Sequence, residues 1–125
     1  MGDLSKHFSR GEFVCKCGCG ADKVDITFLY KLEYARDRAG FNFHITSGCR
    51  CPSHNAKEGG KPDSDHITDI TRSCEGADIA VANGYQRFKL VNAALDAGFT
   101  RVGVAKTFVH LGTRKKNPQN VLWIY

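Results

Sequence analysis

Apolar residues recur at helical spacing in two stretches of this chain and gather into short runs elsewhere. In the first stretch Ile26, Leu29, Leu32 and the pair Tyr34 and Ala35 fall close to one helical face. Lys31, Glu33, Arg36 and Asp37 take the other. Asp25 is placed to cap the start of this helix and Gly40 to end it. A second helix is predicted over residues 84–97, with Asn83 as its cap and Gly98 as its stop. Its inward residues are predicted to be Phe88, Val91, Ala94 and Leu95. Residues 41–47 alternate like a short strand, and strand-like runs follow at 75–81, 101–105, 107–111 and 121–125. Helices and strands are interspersed, and hairpin-like connections are expected among the last strands. The expected fold class is therefore α+β, a small, mainly antiparallel sheet with two principal helices.

The rest of the chain reads as loop. Residues 1–22 look irregular, with Phe8 and Phe13 as apolar anchors and Gly18 and Gly20 as turns. Residues 49–55 are polar and turn-rich directly after a strand, a common place for a site. Residues 58–63 read as a flexible loop. A length of 125 residues suits one domain spanning 1–125, and 42% hydrophobic residues with a mean hydropathy of −0.35 suit a modest core. No apolar run approaches the ~18 residues of a membrane span, and the N-terminus shows no apolar signal segment. The net charge of +5 favours anionic partners without choosing among them. Its basic residues are scattered. The longest cluster, Arg114-Lys115-Lys116, reads as a solvated turn rather than a nucleic-acid arm.

Three residues carry the candidate chemistry. His66 lies in a polar loop-like run, Asp78 opens an apolar run, and His110 lies inside a strand-like one. Two imidazoles and a carboxylate make the usual three-ligand shell of a catalytic zinc, with the fourth position left to water. Arg50 has the fork to hold a carboxylate, and a structural ion pair is its other reading. His44 and His54 read as surface or structural histidines. The six cysteines, at 15, 17, 19, 49, 51 and 74, leave three readings open: free thiols, one or two disulfides, or a second, structural metal. Cys15 or Cys17 meeting Cys51 is the first pairing to look for.

Taken together, several segments resemble the zinc D-Ala-D-Ala carboxypeptidase family, whose fold is shared with the hedgehog signalling domain. They are Phe8-Ser9-Arg10-Gly11-Glu12-Phe13 with the cysteines after it, and Thr46-Ser47-Gly48-Cys49-Arg50-Cys51-Pro52-Ser53-His54-Asn55. Gly59-Gly60, Ser64-Asp65-His66, Ala77-Asp78-Ile79, Gly98-Phe99, Val102-Gly103-Val104, Phe108-Val109-His110 and the closing run 118–125 continue the likeness. The small bacterial and phage members that cut peptidoglycan peptides are the most similar. The resemblance implies Zn2+ on His66, Asp78 and His110. It implies that Arg50 binds the substrate's carboxylate or polarises its carbonyl, and that Ser64 contacts substrate or a ligand. It implies hydrolysis of peptidoglycan stem peptides, of the D-Ala-D-Ala carboxypeptidase or L-Ala-D-Glu endopeptidase type. The expected chain is a monomer with no nucleic-acid partner and no membrane insertion. It is expected to be cytoplasmic, or cytoplasmic until released to the cell wall in the phage manner.

Two departures from the family pattern stand out. The link from His66 to Asp78 is longer than usual, with Cys74 where the family has a glycine, so it is expected to bulge beside the metal as a substrate-shaping loop. The family's general base lies a few residues before the last histidine, and many small members carry an acid two residues after it. Here those places hold Thr107, Phe108 and Val109, and then Gly112. Asp65, Asp69 and Glu75 are the candidates to supply the missing base. The rival reading is a non-catalytic, zinc-stabilised cell-wall or peptide-binding module of the same fold.

Overall fold

The computed structural model describes residues 2–125. Its sheet has five strands: β1 (Ile45–Ser47), β2 (Gly76–Ala80), β3 (Arg101–Val104), β4 (Phe108–Gly112) and β5 (Val121–Ile124). They lie in the order β1-β2-β4-β3-β5. All pairings are antiparallel except β3 with β5, which run parallel. Four helices accompany the sheet: α1 (Arg10–Phe13), α2 (Ile26–Ala39), α3 (Pro52–Lys57) and α4 (Gly84–Asp96). The α+β class with a mainly antiparallel sheet is as expected. The last connection differs from expectation. Only β3 and β4 form a hairpin, while residues 113–120 carry the chain across to the far edge of β3.

α2 begins and ends where its caps predict, and α4 begins as predicted after Asn83 but ends at Asp96, one residue short of the expected Ala97. The Asp25 carboxylate accepts from the Phe28 N–H at 2.9 Å, and Gly40 takes a left-handed φ of 78°. The Asn83 side chain accepts from the Gln86 N–H at 2.9 Å. The inward faces need correction. In α2 the buried residues are Phe28, Leu29, Leu32, Ala35 and Ala39, while Ile26 is 61% exposed. In α4 Leu90, Ala93 and Ala94 are buried, and the predicted core residues Phe88 and Leu95 are exposed. α2 and α4 pack against one another, and their buried faces combine Phe28, Leu32 and Leu90 with the small residues Ala35, Ala39, Ala93 and Ala94. Residues 41–44 are not strand, and the predicted loops at 9–13 and 52–57 each contain a short helix. The first has a capping box between Ser9 and Glu12, and the second has Pro52 in its first turn.

The sheet has two unlike faces. Side chains alternate along a strand. Ala77 and Ile79 of β2, Val102 of β3, and Val109 and Leu111 of β4 therefore enter the apolar core with α2 and α4. Their neighbours Gly76 and Asp78, Arg101 and Gly103, and His110 and Gly112 face the other way. Asp78 and His110 are direct cross-strand partners, as are Gly76 and Gly112. This second face is where the chain places its polar chemistry.

The N-terminal segment is tied to α2 by Glu33, which accepts from the Ser5 hydroxyl at 2.5 Å, the His7 N–H at 2.7 Å and His7 Nδ1 at 2.7 Å. Burial alone would raise the Glu33 carboxyl, but these donors outweigh it and hold it below its ordinary value. A carboxylate depressed in the folded state stabilises above its unfolded pKa and loses that contribution as pH falls through the folded one. Glu33→Gln is expected to lower stability at neutral pH by about 1–3 kcal/mol. Urea unfolding should show the gap between wild type and variant closing as pH drops below the carboxylate range.

Candidate metal centre

Asp78 and His110 meet because β2 and β4 pair in register, and a separate set of bonds delivers His66. The Arg50 N–H donates to the His66 carbonyl at 2.8 Å, and the Thr68 N–H donates to the Arg50 carbonyl at 2.9 Å. These bonds lash the loop carrying His66 to the segment after β1. The Ser64 hydroxyl accepts from the His66 N–H at 3.2 Å. Ser64, expected to contact substrate or a ligand, thus fixes the backbone of His66 in a turn of its own.

Side-chain donors of His66, Asp78 and His110 all lie within 4.8 Å of one another. Asp78 Oδ1 is 3.2 Å from His66 Nε2 and 2.9 Å from His110 Nδ1. The second nitrogen of each ring is also held. His66 Nδ1 is 2.7 Å from the Gly48 carbonyl, and His110 Nε2 is 2.8 Å from Asp65 Oδ2. A metal-binding imidazole needs this arrangement, because a partner on one nitrogen sets the tautomer and aims the other. The residues therefore fit a zinc ion. His66 would bind through Nε2, His110 through Nδ1 and Asp78 through its carboxylate.

The charge states agree with that role. Burial pushes His66 down, towards the neutral imidazole a metal requires. For His110 burial acts the same way, but the Asp65 and Asp78 carboxylates outweigh it and raise the imidazole. A metal at Nδ1 would take the place of the proton that Asp78 favours there, leaving Nε2 to Asp65. On the carboxyls of Asp78 and Asp65 burial acts in the opposite sense and would raise them. The histidines beside Asp78, and His110 with Arg101 beside Asp65, hold both carboxyls below the usual range.

Asp65 is the residue whose role the sequence conceals. Its side chain is 1% exposed. Besides His110, it accepts from Arg101 Nε at 3.1 Å and from the Arg114 N–H at 3.2 Å. Its carboxylate lies where a side chain on Gly112 would be, and a Cβ on Gly76 would stand 2.5 Å from its own Cβ. The facing glycines of β2 and β4 thus form a slot for Asp65. Glycine inside a strand often marks such close approach, and that was the available signal. Gly112, which reads from sequence as a lost acid, makes room for an acid delivered from the loop.

The other two proposed bases are engaged elsewhere. Asp69 accepts from the Thr71 N–H and hydroxyl, both at 2.8 Å, and from the Arg72 guanidinium at 2.8 Å. These bonds hold its carboxyl far below the usual range. Its loop lines a shallow groove with residues 20–23 and 51–52. Glu75 accepts from Arg114 Nε at 2.9 Å. Arg114 itself corrects the solvated-turn reading of 114–116, being 4% exposed. Its guanidinium also donates to the carbonyls of Ser64, Ile67 and Ser73, so it pins both ends of the long loop that precedes Asp78. Lys115 and Lys116 are exposed, as expected. No feature of the sequence marked Arg114 as different from its neighbours.

Arg50 flanks the centre. One terminal nitrogen is 3.9 Å from Asp78 Oδ2 and the other is 3.4 Å from Asn55 Oδ1, while Nε is buried with no partner among the described residues. Such an unspent donor is costly unless something else satisfies it. On the far side Trp123 lies 5.5 Å from the His110 ring and spans Gly103, where a Cβ would stand 2.5 Å from the indole. His44 is exposed, and His54 lies 3.6 Å from Glu58, outside the centre.

A buried set of two imidazoles and a carboxylate, each imidazole fixed through its other nitrogen, has the donor chemistry of a mononuclear zinc hydrolase. The chain belongs to the peptidase M15 family, which it matches over residues 6–112. Peptidases of this family are zinc-dependent. A comparison with curated proteins gave no match.

Asp65→Asn is expected to lower stability, since it leaves Arg101 without its counter-charge, and in the protein that still folds to weaken zinc binding about 10–100-fold, as loss of a partner behind a ligating histidine does. Competition with a chromogenic chelator measures this. Arg114→Lys should lower stability by about 3–5 kcal/mol, because an ammonium cannot reproduce the buried fork. Chemical denaturation checks it.

Proposed function

We propose that this protein is a zinc metallopeptidase that hydrolyses peptide bonds in peptidoglycan stem peptides. The observation that carries the reading is the convergence of His66 Nε2, Asp78 Oδ1 and His110 Nδ1 beside an arginine with an unpartnered donor. The chemistry zinc supplies in such a shell is a water acidified to near neutrality and a polarised scissile carbonyl. Arg50 has the geometry to bind a peptide carboxylate or the carbonyl oxygen as negative charge develops there. Asn55, buried against Gly60 and donating to the Lys61 carbonyl at 2.9 Å, holds the Arg50 fork in place. Asp65 keeps the proton of His110 on Nε2, away from the ligating nitrogen. The net charge of +5 favours contact with an anionic wall.

One observation favours the binding module instead. Asp69 and Glu75 are already paired with arginines, and Asp65 is sealed behind His110. A positioned base contributes ~10²–10⁴-fold, so a peptidase using solvent or substrate as the proton acceptor would be slow by that factor. A module of the same fold that binds without cutting needs no base.

Mass spectrometry of peptidoglycan and its stem peptides after incubation with zinc-loaded protein separates the two. The expected result is new, shorter peptides that are absent with His110→Ala, and their masses name the bond. Sedimentation with intact sacculi but no products would establish the binding module. Arg50→Ala is expected to keep zinc and lose at least 10-fold in turnover, in line with one lost charged contact in the transition state. Unchanged turnover would remove Arg50 from the mechanism.

A further inference from the structure

We propose that Cys15, Cys17, Cys19 and Cys51 form a second metal site, a closed structural zinc site separate from the histidine–aspartate centre. Their four sulfurs lie within 4.8 Å of one another. Cys15 Sγ is 3.5 Å from Cys17 Sγ, and Cys17 Sγ is 3.7 Å from Cys51 Sγ. A tetrahedral site with Zn–S bonds of about 2.3 Å has sulfur–sulfur edges of about 3.8 Å. A disulfide would bring two sulfurs to about 2.05 Å. All six cysteines of the fold are free thiols, so the cluster has the spacing of ligands around a common centre and not of a bridged pair.

The backbone around the cluster is arranged for sulfur. The Cys51 N–H donates to Cys15 Sγ at 3.4 Å, and the His54 N–H donates to Cys51 Sγ at 3.4 Å. Donors aimed at sulfur favour the thiolate, the form that binds metal. Residues 15–21 close into a loop, with the Cys15 N–H on the Ala21 carbonyl at 2.8 Å and the Gly18 N–H on the Cys15 carbonyl at 3.3 Å. Gly18 and Gly20 take φ of 88° and 84°, which residues with a side chain rarely adopt. This fold of the loop is what lets alternate cysteines approach one another and Cys51.

The apolar environment of the remaining two thiols sets them apart. Cys49 and Cys74 are buried within the core cluster; of the four clustered cysteines Cys15 is buried outside it, Cys17 and Cys19 are exposed and Cys51 is half-buried. Four protein ligands leave no open position, so this site is structural and not catalytic. Binding exchanges protons and waters alone. Each thiol that ligates releases its proton to solvent, the metal's waters depart, and no electron is transferred. Cys51 follows Arg50 directly, so a metal here would fasten the N-terminal loop to the backbone that aims Arg50 at the other centre.

Zinc per chain, measured by elemental mass spectrometry on the full-length protein, tests the proposal. Wild type is expected to hold two zinc ions. Cys17→Ser/Cys19→Ser is expected to lose one of them, and His110→Ala the other. Because the two losses are separate, failure of either site is read independently of the other. Titration of unaltered protein with a mercurial gives a second readout that needs no variant to fold. Blocking the thiols should release one zinc to a chromogenic chelator and leave the histidine site loaded. A full zinc count in the cysteine variant, no zinc released by the mercurial, iron in place of zinc, or a disulfide among these four residues in the intact mass would each overturn the proposal.

Discussion

The burial of one carboxylate, Asp65, sets the rest of the polar face. An unpaired charge with 1% of its side chain exposed would be prohibitive, and every neighbour answers it. Arg101 from β3, His110 from β4 and the backbone of Arg114 all donate to it. Its own carbonyl accepts from the Glu75 N–H at 2.8 Å as the chain enters β2. These bonds draw three elements together around one group. They also fix which nitrogen of His110 is left to face His66 and Asp78, so the candidate centre inherits its geometry from an interaction one layer behind it.

The two faces of the sheet divide the work of the fold. Val109 and Leu111 on one side of β4 are held in the core with the two long helices. His110 and Gly112, alternating with them, build the centre. Rigid pairing between β2 and β4 gives Asp78 and His110 little freedom, and the loop residue His66 is restrained by Arg50, Gly48 and Ser64. Arg114 and the Asp69–Arg72 pair brace the long segment between His66 and Asp78. That segment, expected to bulge beside the metal, turns towards the cysteine-bearing loop.

Local signals were legible wherever a short stretch of chain decides its own conformation. Asp25, Gly40 and Asn83 mark the helix ends because capping involves residues three or four apart. The three donors that converge were legible from residue type together with a family resemblance. Long-range burial was not. Phe88 and Leu95 match helical spacing yet lie outside, because α4 buries the face that carries Leu90, Ala93 and Ala94, a choice of face that depends on the rest of the fold. Arg114 looks like Lys115 and Lys116 and differs only in what surrounds it. The slot at Gly76 and Gly112 depends on a strand pairing that brings two distant glycines together under a loop residue.

A crystal structure with anomalous diffraction at the zinc edge tests the central claim most directly. The account predicts a strong peak bound by His66 Nε2, the Asp78 carboxylate and His110 Nδ1, with Asp65 still on His110 Nε2. A zinc-soaked crystal with no peak between these residues, or with metal on His110 Nε2 and Asp65 displaced, would contradict it.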